Sequence, residues 1–157
     1  MSVRPATAAD VRAADAVRVA GWKQAYRGLV PQSFLDRLAV TDARVAWLTD
    51  RLEESAVQTL VAVEDEGVVG MAVHGPCRDE DLPGLHELYA LYVLPSCWRR
   101  GTGTALLAGC GPVDVLWVLE GNLRGRTFYE RHGFRADGTA TTLDLDAPVV
   151  EVRYRLA

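Results

Sequence analysis

The stretch from Leu85 to Leu119 constrains the fold more than any other part of this 157-residue chain. Leu85 to Val93 reads as a strand, apolar on both faces from Leu88 onward, as expected of a central strand covered on both sides. It runs into Trp98-Arg99-Arg100-Gly101-Thr102-Gly103-Thr104, a helix of about Gly103 to Cys110, a Gly111-Pro112 break, and a second strand from Val113 to Leu119. A strand–helix–strand unit of this kind makes its two strands parallel, with a right-handed crossover. The fold class is therefore α/β.

The turn itself is chemically suggestive. Gly101 and Gly103 carry no Cβ, so the backbone there can turn sharply and approach a ligand closely. The helix that follows leaves its first N–H groups unpaired, and its dipole adds about half a positive charge at that end. Such an end accepts a phosphate or pyrophosphate, and Arg99 and Arg100 add full charges beside it. The competing reading is a tight turn whose glycines only pack helix on sheet. A dinucleotide site of Rossmann type also competes, because Gly101-x-Gly103 follows a strand and Glu120 ends the next one. Against it, the third small position is Leu106, and the first glycine lies well past the strand end.

The remainder is mixed. Val3 to Ala6 fits a short edge strand, where Pro5 is tolerated. Thr7 and Asp10 resemble a capping pair, and a helix then runs to about Tyr26 with Ala13, Ala16, Val17 and Ala20 on one stripe. Arg27 to Pro31 breaks it, and Ser33 to Leu38 and Thr41 to Leu52 read as further helices. Thr59 to Glu64 and Val68 to Gly75 form a hairpin about Asp65-Glu66-Gly67. Pro76 to Gly84 is a polar loop. After Leu119, Asn122 caps a helix from Leu123 to His132 that ends at Gly133. Thr141 to Leu145 and Val149 to Leu156 close the chain as an antiparallel pair.

Composition narrows the function classes. A hydrophobic content of 49% with 24% charged residues fits a globular protein, and residues 1–157 read as one domain. No apolar window is long enough for a transmembrane helix, and Met1 to Pro5 lacks the apolar core of a signal peptide, so a cytoplasmic protein with no membrane partner is expected. The net charge of −4 gives no basis for binding nucleic acid. Cys77, Cys97 and Cys110 are odd in number and lack CxxC spacing, which points to reduced thiols. His74, His86 and His132 do not combine with them at zinc-like spacing, so no metal is expected.

The run Val93-x-Pro95 followed by Trp98-Arg99-Arg100-Gly101-Thr102-Gly103-Thr104-Ala105-Leu106-Leu107 resembles motif A of the GNAT superfamily of N-acyltransferases. Leu116 to Asn122, with Arg126, Phe128-Tyr129-Glu130-Arg131 and Gly133-Phe134, resembles its motif B, in the family's order and spacing. The resemblance is tight from about residue 85 to 138. It is looser at Trp22 to Pro31. Trp98 stands where the family usually carries Gln or Arg, and Arg99 where Gly is frequent. The helix after the turn is shorter than usual, which bears on packing or on the surface of a homodimer.

What the resemblance implies is a mixed, mostly antiparallel sheet flanked by helices, and transfer of acetyl from acetyl-CoA to a primary amine of a small molecule or peptide by direct attack. Trp98, Arg99, Arg100, Gly101, Thr102, Gly103 and Thr104 would surround the pyrophosphate. Main-chain groups of Leu91 and Val93 would hold the pantetheine arm and acetyl oxygen. Tyr129 matches the tyrosine that protonates the departing thiolate; a packed aromatic beside Phe128 is the alternative. Asn122 and Tyr129, seven residues apart, share one helix face. Arg126 either contacts cofactor phosphate or pairs with Glu130.

Glu87 is the candidate general base, set on a strand face with Tyr89, Leu91 and Val93; a solvated strand-start carboxylate is the alternative. A glutamate near 4.3 facing an ammonium near 10.4 leaves about 6 units, or roughly 8 kcal/mol, so burial or ordered water must close the gap. Trp22, Tyr26 and Arg27 are candidates for the acceptor pocket. Asp79-Glu80-Asp81 could draw in a cationic amine or simply be solvated. A rival class is a catalytically inactive module that binds and senses acetyl-CoA.

Overall fold

The computed structural model describes residues 1–54 and 56–157. The chain lays down β1 (Ser2–Pro5), a 3₁₀ turn (Ala8–Asp10), α1 (Val11–Ala25), α2 (Gln32–Arg37) and α3 (Asp42–Arg51). It continues through β2 (Gln58–Glu64), β3 (Gly67–Pro76), β4 (His86–Val93), a 3₁₀ turn (Pro95–Cys97), α4 (Thr102–Gly109), β5 (Val115–Leu119), α5 (Leu123–Arg131), β6 (Phe134–Asp144) and β7 (Pro148–Leu156). The strands form one seven-stranded sheet in the order β1-β2-β3-β4-β5-β7-β6. Among the described strands of this sheet, β4 and β5 pair in parallel and the other neighbours are antiparallel. That arrangement excludes a doubly wound Rossmann sheet.

Local chemistry explains most boundaries. Thr7 N–H donates to the Asp10 carboxylate at 2.8 Å, closing the first turn. Thr41 accepts from Arg44 N–H at the start of α3, and Asn122 from Gly125 N–H at the start of α5. Gly133, at φ 90°, ends α5 in the left-handed region. Glu64 pairs with Gly67, so Asp65-Glu66 is the tip of the β2–β3 hairpin.

Two expectations need correction. In α1 the buried stripe is Val11, Ala14, Asp15, Val17 and Gly21, whereas Ala13 and Ala16 are exposed. Alanine carries too little apolar surface to set a helix phase. The phase comes instead from Gly21, where an added Cβ would lie 3.4 Å from the Tyr92 ring, and from Asp15, which accepts from Arg18 Nε at 2.7 Å and Arg44 Nε at 2.9 Å. Strand β6 begins at Phe134, well before Thr141. Its register against β7 shifts between Ala136 and Ala140, around Gly138 at φ 89°, and this interrupts the alternation by which a strand is read.

The sheet has a helix layer on each face. Leu106, Leu107 and Cys110 of α4 pack on Leu88, Val93, Leu116 and Val118, with Leu91, Phe128 and Tyr129 against the same cluster. On the opposite face, Ala14 and Val17 of α1 meet Val61, Met71 and Tyr92. Val30 and Leu35 meet Leu119 there, with Trp22, Tyr26 and Leu143 alongside.

Candidate active site

The parallel pair is short. Glu87 aligns with Val115 and Leu88 with Leu116, and no further residue of β4 pairs with β5. Strand β3 explains why. Val73 aligns with Ala90 but His74 with Leu88, so Tyr89 is an extra residue without a partner, a β-bulge. The bulge bends β4 away from β5 and opens a cleft of about 1150 Å³ between them.

The bulge also reverses side-chain parity, which corrects the expected strand face. Leu88 before it and Leu91 and Val93 after it all point toward α4, while Tyr92 points toward α1. Successive residues alternate faces, so Glu87 lies on the α1 side, opposite Leu91 and Val93. Glu87 is 1% exposed and therefore not a solvated carboxylate. It accepts from Arg78 N–H at 3.0 Å and from Arg78 Nη2 at 2.6 Å. It lines a smaller cavity with Arg78, Asp79, Trp117, Thr141 and Glu151, and does not line the cleft.

At one mouth of the cleft stands the glycine turn. Gly101, at φ 81°, caps α4, and the first helical bond runs from Ala105 N–H to the Gly101 carbonyl. No protein group accepts from the amides of Thr102, Gly103 or Thr104 among the described residues. An added Cβ at Gly103 would sit 3.3 Å from the Phe128 ring. Arg99 holds φ 64°, an uncommon conformation for a residue with a side chain. The Trp98 indole N–H donates to the Val93 carbonyl at 2.9 Å, tying the turn to the end of β4. Arg124 stacks over Trp98 at 3.5 Å.

Leu91, Val93, Trp98, Arg99, Gly101, Thr102, Gly103, Thr104, Asn122 and Tyr129 all line the cleft. Arg100 and Arg126 do not. Arg100 lies 4.0 Å from Glu64. Arg126 turns to the Tyr154 hydroxyl and the Glu120 carbonyl, both at 2.8 Å, and Tyr154 in turn donates to Glu130. Arg124 takes the cleft position instead. Spacing along α5 could have singled it out, since it lies close after the Asn122 cap.

Tyr129 stands deeper, its ring edge-on to Phe128 at 5.1 Å. Burial raises its phenol above the ordinary value, with Tyr92 and Cys110 adding to the shift. Trp22 and Tyr26 line the far end; Arg27 does not. The Trp22 indole donates to the Tyr92 hydroxyl at 2.8 Å. The acidic loop is neither free nor merely solvated. Arg153, 5% exposed, binds Asp81 through two bonds of 2.9 Å and Asp137 at 2.6 Å, and reaches Asp79, which also accepts from the Trp117 indole. Glu151 of β7 was missed at the level of sequence. It lines both cavities.

Comparison with known proteins agrees with this architecture. Residues 55–136 match the family described as Acetyltransferase (GNAT) domain. The chain is 30% identical over 135 residues to the uncharacterized N-acetyltransferase YuaI of Bacillus subtilis (strain 168), covering 85% of this chain and 67% of that protein. Its fold matches the PaiA N-acetyltransferase of Thermoplasma acidophilum, solved in complex with coenzyme A, at a TM-score of 0.75 and 19% identity, over 98% of both chains. It also matches a ribosomal-protein-alanine N-acetyltransferase of Brucella melitensis at a TM-score of 0.73 and 24% identity, again over 98% of both. The chain belongs to the GNAT family of acetyltransferases and is an acyltransferase of that family.

Proposed function

We propose that the protein transfers an acetyl group from acetyl-CoA to a primary amine of a small molecule or peptide by direct attack. The observation that carries this reading is the trio of free amides at Thr102, Gly103 and Thr104, opening onto a cleft that has Tyr129 at its depth. A pyrophosphate fits that end of α4, because the amides have no protein acceptor and the dipole favours an anion. Arg99 and Arg124 supply charge at the cleft wall. Val93 and Leu91 lie on the stretch of β4 that has no partner on the β5 side, so the Leu91 main chain and the Val93 N–H are available to a pantetheine arm, the Val93 carbonyl being taken by Trp98.

The thioester supplies an electrophilic carbonyl, and the chain supplies orientation and proton transfer. Tyr129 is the donor to the departing thiolate. Its raised pKa keeps it protonated, at the cost of a steeper transfer to a thiol of pKa about 8.5. Asn122 holds the start of α5 through Gly125 and so positions the face that carries Tyr129. The acceptor enters past Trp22 and Tyr26. A sheet running from Ser2 to Leu156 supports one domain for residues 1–157. Three free cysteines agree with a cytoplasmic location.

The test is thiol release from acetyl-CoA across amino acids, polyamines, aminoglycosides and peptide N-termini. Release that depends on one of these classes is the expected result. Tight acetyl-CoA binding without release to any amine would instead establish a sensing module.

A further inference from the structure

The acceptor side of the cleft contains a carboxylate that the fold leaves without a partner. Glu151 sits on β7 opposite Leu119 of β5 and Thr141 of β6. Val152 and Tyr154 point to the α4 layer, so by alternation Glu151 points with Val149 to the layer of Trp22 and Tyr26. It is half-buried, it lines both the cleft and the smaller cavity, and its carboxylate makes no hydrogen bond or ion pair among the described residues.

We propose that Glu151 is the general base that takes the proton from the acceptor ammonium. The inference rests on the transfer reading above. In the step, one N–H bond of the ammonium breaks and the proton passes to a Glu151 oxygen. The freed lone pair forms the C–N bond at the thioester carbonyl carbon, and the C–S bond breaks. The sulfur receives its proton from Tyr129, and the second amine proton leaves to water.

The surroundings fit a base. Burial raises the Glu151 carboxyl above the ordinary glutamate value. Arg78 acts against that, while Glu87 and Asp79 add to it. The groups facing it are Tyr26 at the end of α1, Arg78 and Asp79 in the loop after β3, Glu87 and Tyr89 on β4, Trp117 on β5 and Thr141 on β6. Arg78 is held by Glu87 and stacked 3.9 Å over Tyr89. Glu87 therefore acts as a positioning residue: it engages Arg78, the cation that acts on Glu151. Tyr26 feels the Glu151 charge, which adds to the burial that raises its phenol.

Two measurements test the assignment. In protein labelled with ¹³C at glutamate carboxyls, the resonance absent from Glu151→Gln reports this residue, and its midpoint is expected above about 4.3. A midpoint at or below that value overturns the proposal. With the amine of fastest thiol release as probe, Glu151→Gln should lower kcat about 10²- to 10⁴-fold and remove the acid-side limb of kcat/KM. Its Kd for acetyl-CoA should stay unchanged, and Glu151→Asp should recover part of the rate. A wild-type limb in Glu151→Gln, or an equal loss of acetyl-CoA affinity, overturns the base assignment alone. A wild-type protein that binds acetyl-CoA but releases no thiol to any amine overturns the transfer reading, and the base with it.

Discussion

Leu88 of β4 and Leu116 of β5 are the last residues that the two parallel strands align, and the unpaired Tyr89 follows at once. This single extra residue has three effects. It separates the strands to form the cleft, it leaves the end of β4 without a partner on one side, and it sends Leu91 and Val93 to the face opposite Glu87.

The two glycines of the turn are required for different reasons, and their alanine variants should separate. Gly101 holds φ 81° with nothing within 4 Å of an added Cβ, so Gly101→Ala costs about 1 kcal/mol of stability through backbone strain. Gly103 has an ordinary φ but faces Phe128 at 3.3 Å. Gly103→Ala should displace that ring and weaken acetyl-CoA binding about tenfold, or roughly 1.4 kcal/mol, with little change in Tm. Thermal melts and titration calorimetry distinguish the two patterns. Identical behaviour of the variants would refute the distinction.

Tyr129→Phe should lower kcat about 10²-fold and leave the KM for acetyl-CoA unchanged. Because burial raises the phenol above its ordinary value of about 10, the wild-type enzyme should show no alkaline limb from this group below that pH. Thiol-release rates from about pH 6 to about pH 10 check both statements. An unaltered kcat would assign the ring to packing alone.

His74 should make the fold sensitive to acid. His86 Nδ1 lies 2.8 Å from the Pro112 carbonyl, which can only accept, so the neutral His86 Nε2 accepts from His74 Nδ1 at 2.8 Å. His74 Nε2 is buried with no partner among the described residues. Burial lowers the His74 pKa, and the facing His86 lowers it further. The unfolded chain, titrating near 6.5, therefore binds more protons between the two values, and stability is lost as pH falls below about 6.5. Melts from about pH 5 to about pH 7 should show that slope, and it should flatten in His74→Gln. A slope shared by both proteins would place the titration elsewhere.

Arg153 holds Asp79, Asp81 and Asp137 against the rim of the smaller cavity. Arg153→Ala leaves these carboxylates facing one another, two of them largely buried, and should destabilise the protein by about 3 kcal/mol. The Trp117 indole, held by Asp79, would lose its anchor, and the acceptor KM should rise. Urea unfolding measures the first effect. A loss below about 1 kcal/mol would mean that solvent screens the cluster.

What could be read from the residues alone was what depends on near neighbours. The turn from Trp98 to Thr104, the cap at Asn122, the stop at Gly133 and the parallel pairing of β4 with β5 follow from glycine conformation, unpaired helix ends and crossover geometry, all set within a few dozen residues. The position of Glu151 was invisible, because β7 inserts between β5 and β6 and brings residue 151 beside Leu119 from far along the chain. The side chain of Arg126 depends on a related long-range contact: Tyr154, 28 residues away, draws it off the cleft.

The sequence by itself determined an α/β chain with a glycine turn leading into a helix whose first amides are unpaired, and a later helix carrying Asn122 and Tyr129. Only the tertiary structure decided which carboxylate lines the cleft, since a bulge inverts the parity of β4 and Arg78 occupies Glu87, while the Glu151 carboxylate has no ion pair among the described residues. Periodicity reports the face a residue takes within an unbroken element. Bulges, strand insertion and charge pairing between distant segments lie outside what periodicity can encode.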